Sequence, residues 1–131
     1  MKKDIEIPIA ENVFVAAVNE WDEKHLSKTW YIYLINNRET AIEGSILVSK
    51  GYGGGLKTTT MRHGLGDLPA KTFRKVELLQ EDVFKLKNEY FLTFFADNKL
   101  YEKKFIFDEY QVSENNETNV PVMNVAGVVV G

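Results

Sequence analysis

The 131-residue sequence contains no cysteine, so it forms no disulfide bond and offers no thiolate as a nucleophile or metal ligand. It has no apolar run that approaches the ~20 residues of a membrane-spanning helix. Near the amino terminus, acidic residues and Pro8 interrupt the apolar stretch that a signal peptide requires. Together these absences favour a cytoplasmic protein.

Proline is also scarce, with three residues, whereas aromatic residues make up 12% of the chain. Aromatic and β-branched residues favour strands over helices. The length falls in the range of roughly 100 to 150 residues that is commonest for one domain. We therefore predict a single all-β domain over residues 1–131.

Seven short segments carry the strand pattern, and turn residues separate them. They are DIEIPI, NVFVAAVNEW, TWYIYLIN, TAIEGSILVSK, TFRKVELL, EYFLTFF and LYEKKFIF. We expect the first to lie at a sheet edge because of Pro8, and the third to lie centrally because both of its faces are apolar. The turn NNRE predicts a hairpin between the third and fourth, and Asp97-Asn98 predicts one between the last two. The segment QEDVFKLKN is ambiguous between a helical turn and a loop.

This order of strands predicts one antiparallel β-sandwich, and it resembles the immunoglobulin and fibronectin type III sandwiches. The resemblance implies that Trp30 is the buried core tryptophan and that Tyr90 occupies the place of the tyrosine corner. After these strands, residues 108–119 form a polar connection and residues 120–131 an apolar strand or arm. That last segment either completes a sheet in its own chain or adds to the sheet edge of a second copy.

The charge is unevenly distributed along the chain, whose net charge is -3. The segment from Lys50 to Lys75 contains six Lys or Arg and a single acid, Asp67, and the rest of the chain is correspondingly acidic. Such an asymmetry indicates an anionic partner if folding places the charges on one face.

The same segment contains the glycine-rich stretch SKGYGGGLKTTTMRHGLG, residues 49–66. It is not a phosphate-binding P-loop, because Leu56 occupies the glycine position before the lysine and no helix-forming sequence follows. Glycine N–H groups and nearby cations could still hold an anion. The plainer interpretation is a long mobile loop between two strands. The candidate binding residues are Tyr52, Gly53, Gly54, Gly55, Lys57, Arg62, His63 and Lys71.

No catalytic or metal site is predicted, and no cofactor. His63 has no nucleophile beside it and no carboxylate at a motif spacing, although a pocket that joins it to a carboxylate would reopen the question. His25 lies near Asp22 and Glu23, but their spacing matches no metal-ligand motif.

Nearly the whole chain is similar to small uncharacterised bacterial proteins, through YLINNR, VSKGYGG, TTTMRHGLG and EYFLTFFADNKLYEKKFIF. Some of those proteins carry the name phenylalanyl-tRNA synthetase alpha subunit. That name implies a motif Phe-Arg-any-Glu, which FRKVE approaches with its glutamate one residue late. A synthetase catalytic fold is also larger than this chain, so we expect no synthetase activity.

The predicted function is a non-catalytic binding module that uses the loop 50–71 to contact an anionic or protein partner, nucleic acid included. The alternative is a structural homo-oligomer that assembles through residues 120–130. We expect no association with membranes.

Overall fold

The computed structural model describes residues 8–131, which form two antiparallel β-sheets. Within these residues the strands are β1 (Val13–Trp21), β2 (Lys28–Asn36), β3 (Ile42–Gly53), β4 (Leu56–Lys57), β5 (Met61–Leu68), β6 (Thr72–Leu79), β7 (Lys87–Ala96), β8 (Lys99–Phe107), β9 (Thr118–Asn119) and β10 (Ala126–Val130). The first sheet has the order β6-β2-β1-β10-β9. In the second, β3 pairs with β7 on one side and with β4 and β5 on the other, and β8 pairs with β7. The predicted all-β class is confirmed.

The main core lies between the two sheets. Ile32 and Leu34 of β2 face this core, as do Leu47 of β3 and Leu92 and Phe94 of β7, all with no exposed surface. Burying side chains of this size stabilises the fold by about 1.5 to 3 kcal/mol each.

A second apolar layer explains why β2 has apolar residues on both faces. Tyr33 and Ile35 point away from the main core and pack with Ala16 and with Val120 of the C-terminal segment. The strand therefore lies inside its sheet, between β1 and β6, as its pattern predicted.

The predicted hairpin between β2 and β3 is wrong, because these strands belong to different sheets. The crossing is fixed by Asn36, which is fully buried at the end of β2. Its Nδ2 lies 3.0–3.1 Å from the carbonyl oxygens of Thr40, Leu68 and Pro69, and its Oδ1 accepts a hydrogen bond from the N–H of Arg38. One side chain thus ties the corner of the first sheet to the end of β5.

The predicted hairpin between β7 and β8 is confirmed. Its corner residues Asp97 and Asn98 have φ angles of 54° and 61°. Two successive positive φ angles match the right-handed twist of the strands that a two-residue turn joins, and Asn and Asp tolerate them well.

The segment 50–71 is mainly strand, so the interpretation as a long mobile loop is wrong. β3 continues to Gly53, a turn at Gly54 and Gly55 reverses the chain into β4, and β5 follows from Met61. Gly54 and Gly55 have φ angles of 54° and 80°, and a Cβ at either would meet no atom within 4 Å. These two glycines are therefore required by the backbone conformation of the turn and not by space.

The predictions for the two ends of the chain have different outcomes. The expected edge strand DIEIPI falls mostly outside the described residues, and Pro8 and Ile9 precede β1 without regular structure. The apolar C-terminal segment forms β10, which pairs with β1 of the same chain and buries Val128. The ambiguous segment after β6 contains a short 3-10 turn, Glu81–Val83.

The immunoglobulin resemblance implies two features, a buried Trp30 and a tyrosine corner at Tyr90. Trp30 is buried, 8% exposed, and meets the edge of Phe84 with ring centroids 6.2 Å apart. Tyr90 does not make the backbone hydrogen bond of a tyrosine corner, because its hydroxyl donates to the carboxylate of Glu77. In residues 8–131, none of the helical segments is long and apolar enough to cross a membrane.

Candidate functional site

The outer face of the second sheet collects much of the positive charge of the chain. Antiparallel partners share a face, and successive residues of a strand alternate between faces. Tyr52 lies opposite Lys57 of β4 and Lys87 of β7, and Val48 lies opposite Arg62 of β5. All of these face away from the core. We call the part of this surface around residues 48–52 of β3 and their neighbours the basic face. Its charged and aromatic members are Lys50, Tyr52, Lys57, Arg62, Lys87, Glu89, Phe91 and Lys104.

A single carboxylate orders the middle of the basic face. Glu89 Oε2 lies 3.5 Å from Lys50 Nζ, and its Oε1 lies 3.6 Å from Lys104 Nζ. The glutamate side chain is only 11% exposed, whereas the two lysines are 43% and 54% exposed. Glu89 therefore holds two ammonium groups at the surface while it occupies little of that surface itself.

The cations outnumber the acids on this face. Lys87 Nζ lies 3.9 Å from Asp108, but no carboxylate of residues 8–131 lies within 4.0 Å of Lys57 or Arg62. Five positive charges thus meet the carboxylates of Glu89 and Asp108, while Glu102 of β8 and Glu43 of β3 lie farther along the same outer face. The two cations without a carboxylate partner in residues 8–131, Lys57 and Arg62, lie on β4 and β5.

Tyr52 differs from its prediction in position. It lies on the strand β3 and is half-buried, and it is not part of a mobile loop. Lys50 Nζ stands 6.0 Å from the centre of its ring, a cation–π distance. The ring therefore lies beside a cation of the basic face.

Two predicted binding residues lie elsewhere. Lys71 follows β5, and its Nζ contacts Glu39 at 3.1 Å and the backbone and side-chain oxygens of Asn37 at 3.0 Å. Since Leu68 pairs with Ile42 at the start of β3, Lys71 lies roughly 30 Å from Lys57. The sequence placed these cations in one loop, but a long strand separates them.

His63 points to the inner side of the sheet and not to the basic face. Its Nε2 lies 2.6 Å from Oε1 of Glu77 on β6. Because β5 belongs to the second sheet and β6 to the first, this contact joins the two sheets. Oε1 of Glu77 also accepts a hydrogen bond of 2.8 Å from the hydroxyl of Ser49, and Oε2 accepts one of 3.1 Å from Tyr90. The sequence did not predict Glu77 as a site residue, because it lies fourteen positions after His63 and only the fold brings the two side chains together.

Three of these side chains, those of Ser49, Glu77 and Tyr90, border a cleft of about 290 Å³ between β3, β6 and β7. His63 contacts Glu77 but does not itself line the cleft, so the structure joins His63 to a carboxylate without placing the imidazole in a pocket. The arrangement is not a Ser-His-acid relay, since Ser49 and His63 both bond to Glu77 and the imidazole does not bridge the other two. The N–H of Gly51, which could act as an oxyanion donor, donates to Thr58 Oγ1 at 2.7 Å. The cluster is therefore better suited to holding a ligand than to activating a nucleophile.

The surroundings of the Tyr90 hydroxyl shift its pKa. Burial raises the pKa of Tyr90 well above its usual value, and the charge and the hydrogen-bond acceptance of Glu77 raise it further. Tyr90 thus stays a hydrogen-bond donor to Glu77 over the whole neutral range.

The other candidate residues have local structural roles. Asp22 accepts hydrogen bonds from the N–H of Leu26 and the hydroxyl of Ser27, and the backbone bond from Leu26 is the main cause of its lowered pKa. In the part of the chain that the structure describes, no three His, Cys, Asp or Glu side chains are grouped so as to hold a metal ion. In FRKVE, Arg74 donates to the backbone carbonyls of Leu65 and Asp67 and so links β6 to β5.

The sequence matches no protein-family model and no curated protein.

Proposed function

We propose that this protein is a non-catalytic binding module, and that its basic face holds an extended anionic partner. The observation that carries the proposal is the shared orientation of five cations with the ring of Tyr52. Two of these cations, Lys87 and Lys104, come from β7 and β8 and extend the charge across three neighbouring strands. A sheet face of this kind offers an extended surface and not an enclosed pocket.

Single-stranded nucleic acid is the polyanion that fits this surface best. Proteins that bind single strands combine a positively charged surface with aromatic side chains on which bases stack. Tyr52 and the half-buried Phe91 lie on the same face as the cations, four residues apart along the β3–β7 pair. A protein partner with an acidic segment would use the cations but gain less from the rings.

The experiment is a fluorescence anisotropy titration with a labelled decauridylate. Charge reversal in the double variant Lys57→Glu and Arg62→Glu should weaken binding at least tenfold without unfolding the sandwich, because both side chains are exposed. The matched control is Lys24→Glu with Lys99→Glu, which makes the same change in net charge at exposed positions away from the basic face.

The salt dependence of the binding constant counts the phosphate contacts. On a single strand the logarithm of the binding constant falls by about 0.7 per phosphate for each decade of salt, so three to five contacts predict a slope of roughly -2 to -3.5. Equal affinity in the two double variants would refute the assignment of the basic face. Binding to a polyglutamate peptide but not to the decauridylate would instead assign the face to an acidic protein partner.

A further inference from the structure

We infer that the cleft on the inner side of β3 is a second binding site, specific for a small organic cation with a short aliphatic body. Glu77 borders this cleft, and its side chain is one-fifth exposed. The site differs from the basic face in the residues that carry it: Ser49 and Gly51 face the cleft, whereas Tyr52 faces outward. Lys50 borders both, but its Nζ is directed to Glu89 on the basic face.

The carboxylate of Glu77 is held in place but lacks a permanent countercharge. Its partners are the hydroxyls of Ser49 and Tyr90 and the imidazole of His63, which is charged only when protonated. Within residues 8–131, no lysine or arginine nitrogen lies within 4.0 Å of it. Lys50 borders the cleft, but its Nζ contacts Glu89 on the opposite face.

The hydrogen-bond capacity of Glu77 is not exhausted. A carboxylate has about four lone-pair positions, and three donors occupy three of them. The unused position belongs to Oε2, which accepts only from Tyr90. An ammonium group is the complementary occupant, because it brings both the donor and the missing charge.

The rest of the cleft selects the size and the body of the ligand. A volume of about 290 Å³ is at the lower end of the range for small-molecule sites, so it excludes a folded partner. Met61 and Leu78 border the cleft and are 50% and 44% exposed, so both offer uncovered apolar surface. A short alkyl chain attached to the ammonium would cover them.

The test is an NMR titration of the ¹⁵N-labelled protein with n-butylammonium, with 1-butanol as the uncharged comparison. We expect saturable shifts at a millimolar dissociation constant, centred on the amides of Ser49, Gly51 and Met61. Butanol should bind at least tenfold more weakly. The variant Glu77→Gln should also bind butylammonium at least tenfold more weakly, while the exposed control Glu102→Gln should bind it as the wild type does.

A second variant keeps the test decisive if Glu77→Gln does not fold. Gln80 borders the cleft and is exposed, so Gln80→Lys should fold and place a competing ammonium at the site. We expect it to weaken butylammonium binding at least fivefold. Equal affinity for butylammonium and butanol, undiminished binding by both cleft variants, or shifts spread evenly over the surface would each overturn the inference. None of these outcomes affects the basic face.

Discussion

The hydrogen bond from Tyr90 to Glu77 makes a quantitative prediction about stability and pH. The change is Tyr90→Phe, which removes one hydroxyl from a side chain that is 1% exposed and leaves the ring in the core. A hydrogen bond to a charged group contributes about 1.5 to 3 kcal/mol. Because Glu77 keeps two donors and reaches solvent, we expect the variant to lose about 1.5 to 2 kcal/mol of unfolding free energy at neutral pH.

The sign of this effect reverses in alkali. The pKa of Tyr90 is raised in the folded protein by burial and by Glu77, so the unfolded chain releases the phenol proton first as the pH rises through ~10. Below that pH, the phenol is protonated in both states and its full contribution to the free energy of unfolding is present. Above it, the wild type loses about 1.4 kcal/mol for each further unit of pH from this residue alone, and Tyr90→Phe does not.

The two unfolding free energies should therefore cross. A loss of 1.5 to 2 kcal/mol from the unfolded-state ionisation is reached at roughly pH 11 to 11.5. Tyr33, whose pKa is also raised, chiefly by burial, makes the same contribution in both proteins and cancels from the difference. Above the crossing, Tyr90→Phe should be the more stable protein.

Urea unfolding followed by tryptophan fluorescence measures this difference, since Trp30 is buried in the folded state. The measurement is repeated at steps from neutral pH to about pH 11.5. Tyr110→Phe is the control: Tyr110 is 68% exposed, and we expect the substitution to leave stability unchanged throughout. A difference between wild type and Tyr90→Phe that stays constant with pH would refute the reasoning.

Three further predictions concern the fold. Gly54→Ala should cost about 1 kcal/mol, because it forces a φ of 54° on an alanine, and a melting temperature lowered by less than a degree would contradict the turn assignment. Asn36→Ala should lower the free energy of unfolding by about 2 to 3 kcal/mol in urea, because it removes a fully buried amide whose Nδ2 lies near three carbonyl oxygens. An unchanged free energy would show that other groups hold the corner. Val128→Ala should cost about 2 kcal/mol if β10 is part of the core of its own chain, with light scattering to show that the protein has the same mass before and after the change.

Local patterns in the sequence were sufficient for several elements. The alternation in TWYIYLIN places β2 inside a sheet with two apolar faces, and the pair Asp97-Asn98 sets the corner of the β7–β8 hairpin. Both features depend on neighbouring residues only, through strand periodicity and the φ angles that each residue type tolerates. The assignment of the segment 50–71 failed because glycines suggested a loop, whereas the pairing of β5 with β3 gives it strand geometry.

The candidate sites were only partly visible. The excess of cations in residues 50–75 is visible in the sequence, but the face on which each side chain lies depends on the strand register. Tyr52, Lys57 and Arg62 share the basic face. His63 faces inward, and Lys71 lies at the far end of β3. The contributions of β7 and β8 come from residues that are 25 or more positions away in the chain. No local pattern could report them.

By itself, the sequence determined the all-β class, because short alternating segments rich in Tyr, Phe and Val bury one face at a spacing of two residues. It also determined the tight turns, through residues that accept positive φ angles. Only the tertiary structure decided that β2 and β3 lie in different sheets and that His63, Ser49 and Tyr90 meet at Glu77. The physical reason is that pairing between distant strands sets which side chains become neighbours, and that pairing is a property of the whole chain.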